Sequence, residues 1–321
     1  MTTSDVLDLD ADLASDLDSD LEPELDEAAA MFTGVRPQLF GIVYRMLGSV
    51  AEAEAVLQEL RIRWHMTDRS VVMNQEAFLT TTATRLAIIV LQSARSRRET
   101  YAGSWLPEPV DTSEDLALGV EQAEALDVAL LVLLERLTPI ARAAFVLREA
   151  FGYAYADIAR ILQLSQASAR QLVSRARKRI AEGKRTTVVP SKRRGLLDAF
   201  LAAARAGDLA GLEGLFAEDV VSRADSGGVV RPVARVPVVG RRKVASLLQA
   251  NTEIFWTGVT ARPLEVNGEI AMGLERHGEL FCVLTLTASD GGVDEILWQM
   301  NPAKLERVRR SWPPTLVVDD V

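Results

Sequence analysis

Six side chains in "ARQLVSRARKR" have types and spacing suited to chemistry on nucleic acid: Arg170, Gln171, Ser174, Arg175, Arg177 and Lys178. A guanidinium can read a guanine edge with two hydrogen bonds, while glutamine and serine serve bases or phosphates. At 100° per residue, Arg170, Gln171, Ser174, Arg177 and Lys178 share one face of a helix, with Arg175 at its border. Ala169, Leu172, Val173, Ala176 and Ile180 share the other. Basic helix faces are also common as plain solvated surface, so this segment by itself leaves both readings open. A second chemistry is conceivable in "LERHGELF". On a strand, Glu275 and His277 would share a face and could form an acid–base pair; a histidine at a strand edge near a turn is the commoner arrangement. Cys282, in "ELFCVLTL", reads as a buried strand residue. One cysteine and two histidines leave too few soft ligands for a metal cluster. No catalytic residue, metal or cofactor is expected.

The basic helix needs a brace. "YADIARIL" offers Ile158, Ile161 and Leu162 to the same core, with Ala159 small enough for a close crossing. Gln163–Ser165 is the joint, and Ser165 is a good N-cap. That is the helix-turn-helix pattern, in which one helix braces and the second enters the major groove. Charge supports it. The chain of 321 residues carries −9, but residues 1–30 hold eleven Asp or Glu and no Lys or Arg. Between Ile140 and Arg194, thirteen basic residues stand against Glu149, Asp157 and Glu182, a local balance of +10.

Further along, composition divides the chain. Residues 1–30 read as an acidic, disordered tail. Residues 31–100 carry three helical patterns, and residues 101–115, around "WLPEP", are a linker. Residues 116–184 are helical again and end in the basic pair. Residues 185–195 are a second, basic linker. From 196 to 305 a helical hairpin precedes β-like runs, "DVVSRAD", "VVRPVARVPVVG", "GELFCVLTLTA" and "VDEILWQMN", with a helix among them. Residues 306–321 read as a C-terminal tail. The acidic start lacks the basic and apolar regions of a secretory signal. No apolar run approaches the roughly 18 residues of a membrane span. A cytoplasmic protein without membrane contact is expected.

"LTPIARAAFVLREAFGYAYADIARILQLSQASARQLVSRARKRI" resembles region 4 of the sigma-70 family, and "LFGIVYRMLGSVAEAEAVLQELRIRW" resembles its region 2. The chain looks most like extracytoplasmic-function sigma factors with a C-terminal SnoaL-like domain, as "RADSGG", "PVVGRRKVASLL" and "NPAKL" follow in that order. The resemblance implies a multidomain fold: two all-α domains, then an α+β, cone-shaped SnoaL-like (NTF2-like) domain. It implies a sigma factor that directs promoter-specific initiation, with core RNA polymerase and promoter DNA as partners. The C-terminal domain would modulate activity in cis and take a small-molecule ligand. By position, Gln58, Glu59, Arg61 and Trp64 fall on the polymerase-binding helix, where Trp64 also reads as a core or helix-packing residue and Glu59 as a plain exposed one. Arg85, Ser93, Arg95, Arg97 and Arg98 fall on the −10 helix, and the six residues above fall on the −35 helix. Asp225, Gly227, Gly228, Asn301, Pro302 and Lys304 fall in regulatory loops. Departures from the family pattern are Ala55, then Ile89, Val90 and Gln92 where charged residues are usual, with Ile88 and Ile89 projecting off the apolar side, then Gln163–Leu164, Ser226 and Ala303. They leave two other readings: a degenerate sigma-like regulator with weakened polymerase binding, or a SnoaL-like enzyme with a helical adaptor.

Overall fold

The computed structural model describes residues 26–99, 101, 103–112, 128–183, 188–230 and 233–312, the side chains of 94–99 excepted. The first half is helical. α1 covers 26–47, α2 is Val50–His65 and α3 is Gln75–Glu99. α4 is Val128–Leu134, α5 Pro139–Glu149, α6 Tyr155–Leu162 and α7 Gln166–Ala181. Local sequence sets several starts. Ser49 accepts the Glu52 amide at the head of α2, and Thr138 with Pro139 opens α5.

α1 begins inside the segment expected to be a tail. Ala28 is buried, and its carbonyl accepts the Trp64 indole N–H at 3.0 Å. The acidic tail proper, residues 1–25, lies outside the described residues. The two helical domains share one continuous apolar core, from Phe32 and Leu39 through Leu60 and Leu79 to Val146, Ile158 and Val173.

The second half is α+β, as the SnoaL-like reading requires. α8 (Pro190–Ala206) and α9 (Leu209–Leu215) precede β1 (Phe216–Asp225). β2 (Val238–Val239), α10 (Arg241–Ala250) and α11 (Thr252–Trp256) follow. β3 (Val259–Val266), β4 (Glu269–Arg276), β5 (Glu279–Ser289), β6 (Gly292–Gln299) and α12 (Pro302–Ser311) complete it. The sheet order is β2-β1-β6-β5-β4-β3; β1 and β6 are parallel and every other pair antiparallel. One face buries Phe200, Leu212, Val244 and Trp256 from the helices. The other takes Leu305 and Val308 of α12.

Several expected boundaries move. α8 starts at Pro190, so most of the supposed basic linker is helix, and α12 lies where a tail was expected. "VVRPVARVPVVG" supplies only the two-residue β2; Arg231 and Pro232 lie outside the described residues. β3 and β4 were not expected as strands.

Candidate nucleic-acid interface

α6 and α7 form the helix-turn-helix. Ser165 accepts the Ser168 amide at 3.1 Å and starts α7. Gln163 closes α6 in the left-handed region, φ 55° and ψ 48°, and the Leu164 amide donates to the Ala159 carbonyl at 2.8 Å. Glycine takes this conformation without cost; for other residues it costs roughly 1–2 kcal/mol. Ala169, Val173, Ala176 and Ile180 are buried, while Arg170, Gln171, Ser174, Arg175, Arg177 and Lys178 are all exposed. Arg177 donates to Glu149 at 2.8 Å, a surface pair of little worth to stability. Arg170 and Arg148 both lie over the Tyr155 ring, at 5.5 and 4.7 Å. This ring contact restrains Arg170 without using its donors.

The residues assigned to the −10 helix are placed differently. Arg85 Nε donates to the Ile161 carbonyl at 3.0 Å and Nη2 to that of Arg160 at 3.4 Å. Helix C-terminal carbonyls lack partners within the helix, so Arg85 caps α6 and ties α3 to the brace. Ser93 is exposed and donates back to the Ile89 carbonyl. The side chains of Arg95, Arg97 and Arg98 lie outside the described ones. Ile88 packs partly against the helical core, whereas Ile89 is 60 % exposed.

On α2, Gln58, Glu59 and Arg61 are exposed, and Glu59 pairs with Arg63 at 2.7 Å. Trp64 is a correction: it is fully buried, packs at a tilt against Phe78 and offers no surface to a partner.

Of the residues expected in regulatory loops, Asp225, Asn301 and Lys304 reach the linker. Asp225, fully buried at the end of β1, accepts Tyr101 Oη at 2.6 Å, the Leu106 amide at 2.9 Å and Lys304 Nζ at 2.7 Å. Lys304 also donates to the Leu106 carbonyl at 2.6 Å, 4.2 Å from the Trp105 ring centre. Asn301 donates to Tyr101 Oη at 2.9 Å and caps α12, where Pro302 occupies the first turn. Gly227 has φ +60°, and a Cβ there would meet the Asn301 side chain at 2.8 Å. Gly228 donates its amide to Ser226 Oγ. Breaking one side of a buried pair such as Asp225–Lys304 typically costs about 3–5 kcal/mol, because the other charge is stranded.

Residues 103–112 are therefore not a free linker. Glu108 takes the Val50 amide at 2.8 Å and the Ser49 hydroxyl at 3.2 Å, at the N-terminus of α2, where a carboxylate is favoured. Its carbonyl accepts Tyr44 Oη at 2.7 Å, and Asn267 Nδ2 donates to Tyr44 Oη at 2.8 Å. The Val110 amide donates to Asn267 Oδ1, and Gln299 donates to the Pro107 carbonyl at 3.0 Å. Tyr44, Tyr101, Glu108, Asn267 and Gln299 were not anticipated. Only "LPEP" and "NG" in the sequence signal that an extended segment meets a hairpin turn.

The acid–base pair does not form. His277 stands in the β4–β5 turn with φ 54°, outside the strand and exposed. Glu275 is buried and engaged by Arg262 and Trp312, at 2.6 and 2.8 Å. Cys282 is fully buried, and burial pushes its thiol far up from the ordinary range.

Family profiles described as "Sigma-70 region 2" and "Sigma-70, region 4" match residues 31–97 and 127–180. The ECF RNA polymerase sigma factor SigJ of Mycobacterium tuberculosis is 37 % identical over 295 residues, 85 % of this chain and 91 % of the relative. The probable ECF RNA polymerase sigma factor SigI of the same organism is 29 % identical over 88 % of this chain and 97 % of its own. The crystal structure of SigJ aligns with 87 % of this chain and 98 % of its own, at 34 % identity and a TM-score of 0.68.

Proposed function

The chain belongs to the extracytoplasmic-function sigma factors of the sigma-70 family, and from that premise we propose how its parts divide the work of promoter-directed initiation. Region 4 presents α7 to the −35 element through Arg170, Gln171, Ser174, Arg175, Arg177 and Lys178. The observation that carries this is the exposure of all six on one side of a helix whose opposite side is locked in the core. Region 2 offers Gln58, Glu59 and Arg61 of α2 to core polymerase. Arg85, Ser93, Arg95, Arg97 and Arg98 of α3 serve the −10 element. Arg85 gives Nε and Nη2 to α6 in this arrangement, so using those donors on DNA requires α3 and α6 to part. The C-terminal domain modulates that parting in cis, through the grip of Asp225, Asn301, Lys304 and Gln299 on the linker. Cytoplasmic residence follows from work on chromosomal promoters.

The test is binding of the polymerase–sigma complex to DNA with and without the −35 element. Arg170→Ala is expected to weaken the specific complex by about 1–3 kcal/mol and to relax preference at one base position. Unchanged affinity with an unchanged salt slope would remove Arg170 from the reading face.

A further inference from the structure

A cavity of about 360 Å³ opens between the sheet and helices α10 and α11. That volume falls within the roughly 300–1,000 Å³ typical of small-molecule sites. Its wall is an aromatic box. Phe255 meets Trp256, Phe281 and Trp298 edge-on, with ring centres 5.0, 5.8 and 5.3 Å apart. Such a box favours a flat, apolar guest.

The polar lining is sparse. Ser222 is engaged by the Trp298 indole at 3.1 Å, and Asn251 donates to the Leu247 carbonyl. Arg276 is the single charged side chain among the described lining residues. Its Nη2 donates to the Phe255 carbonyl at 2.7 Å, while its Nε is buried without a partner. Among the described residues it forms no ion pair, and Glu279, opposite it in the β4–β5 ladder, is exposed. The guanidinium also lies over the Phe281 ring, 5.1 Å from its centre, and Nη2 reaches the Ile254 carbonyl at 3.4 Å. Carbonyls and a ring face leave its positive charge without a carboxylate among the described residues, and such a charge at an apolar wall selects an anionic oxygen, because charge-assisted hydrogen bonds are the strong ones.

The same strands connect this cavity to the linker. Successive strand residues face opposite ways. In the parallel β1–β6 pair, Ala224 stands beside Trp298 and Asp225 beside Gln299. Ala224 and Trp298 line the cavity, whereas Asp225 and Gln299 hold the linker. Met300, also in the wall, donates its amide to the Asp225 carbonyl at 2.7 Å.

We propose that this cavity binds a flat aromatic carboxylate, its rings in the aromatic box and its carboxylate on Arg276, and that occupancy alters the hold of Asp225 and Gln299 on residues 103–112. The second half rests on the reading that the C-terminal domain restrains the linker.

The full chain is titrated with 2-naphthoate and with 2-naphthylmethylammonium, of similar shape and opposite charge, following tryptophan fluorescence. Naphthoate is expected to bind saturably and at least tenfold tighter than the ammonium. Ala234→Trp, which fills the cavity, should abolish binding while hydrogen exchange in the rest of the sheet stays at the wild-type rate. Arg276→Gln should bring the two probes within threefold of each other. Absence of saturable naphthoate binding, equal affinities in the wild type, or undiminished binding by folded Ala234→Trp overturns the site. Saturating naphthoate should change amide exchange across 103–112 more than twofold. Bound naphthoate with unchanged exchange there overturns the coupling. Promoter-dependent transcription is measured on the same preparation without ligand, so failure of the sigma reading shows separately from failure of the site.

Discussion

Glu108 shows how much one side chain can hold together. Its carboxylate caps α2, its carbonyl holds Tyr44, and both flanking residues are prolines that keep the segment extended. Burial pushes its carboxyl above the ordinary range, against the pull of the Val50 and Ala51 amides and the Ser49 hydroxyl. The folded chain therefore holds this proton more tightly than the unfolded chain does. The stabilisation from that difference is complete below the unfolded value, about 4.3, and is lost as pH rises through the raised folded value. Glu108→Gln removes the titration and keeps an oxygen for the α2 amides. Across denaturant melts from about pH 4 upward, wild-type stability is expected to fall relative to Glu108→Gln. Parallel curves would show that Glu108 titrates at its ordinary value. Little at this scale was legible in sequence. The exposed face of α7 was, because helical periodicity fixes it. The partners of Glu108 and Asn267 were not, because they lie 58 and 157 residues apart in the chain. Trp64 shows the opposite error: a residue placed by family position on a surface is committed to the core by its size and its bond to Ala28.

Among the elements, helices with clear caps were legible, β1, β5 and β6 fall in runs that read as β-like, and β3 and β4 were missed. α7 has Ser165 before it and an apolar row within it. β3 carries Pro263 and sits at the sheet edge, where a proline is tolerated but reads as a break. β4 is buried at five successive positions and so lacks the alternation that marks a half-exposed strand. "VVRPVARVPVVG" has β-branched residues, but its prolines remove ladder donors. The sequence marks Gln163–Leu164 as a departure from the family pattern, and there the backbone is left-handed at Gln163, a conformation that strains a residue with a side chain. Gln163→Gly is expected to relieve about 1–2 kcal/mol of strain, offset in part by about 0.4–1 kcal/mol from a more flexible unfolded chain. The net gain, read as a higher denaturation midpoint of the helical half, is small and positive. A loss of more than about 1 kcal/mol would mean that the Gln163 side chain makes contacts worth more than the strain.

At the scale of the molecule, the two sigma regions are one body, and the α+β domain is fastened to it through residues 103–112. Composition revealed the order of parts, but not that the linker is pinned from both sides, since the pinning groups come from turns and strand ends. A chain ending at Val189 keeps the helical core and loses Asp225, Asn267, Gln299 and Lys304. Amide exchange across 103–112 is expected to approach the unprotected rate while α5 and α7 keep their protection. Promoter-dependent transcription should change several-fold from the full chain. Equal activity of the two forms would remove the cis-acting role of the C-terminal domain.

The pinned segment also has a length. One extended residue spans at most about 3.3–3.6 Å, and anchorage at Leu106, Glu108 and Val110 withholds that span from the tether between α3 and α4. While it is anchored, the greatest separation open to α3 and α7 is shorter by that span. With α7 and α3 carrying the two DNA contacts proposed above, the domain that grips the tether would limit the distance between them, and so which spacings between promoter elements the chain can bridge. Each residue let go widens that range by one step.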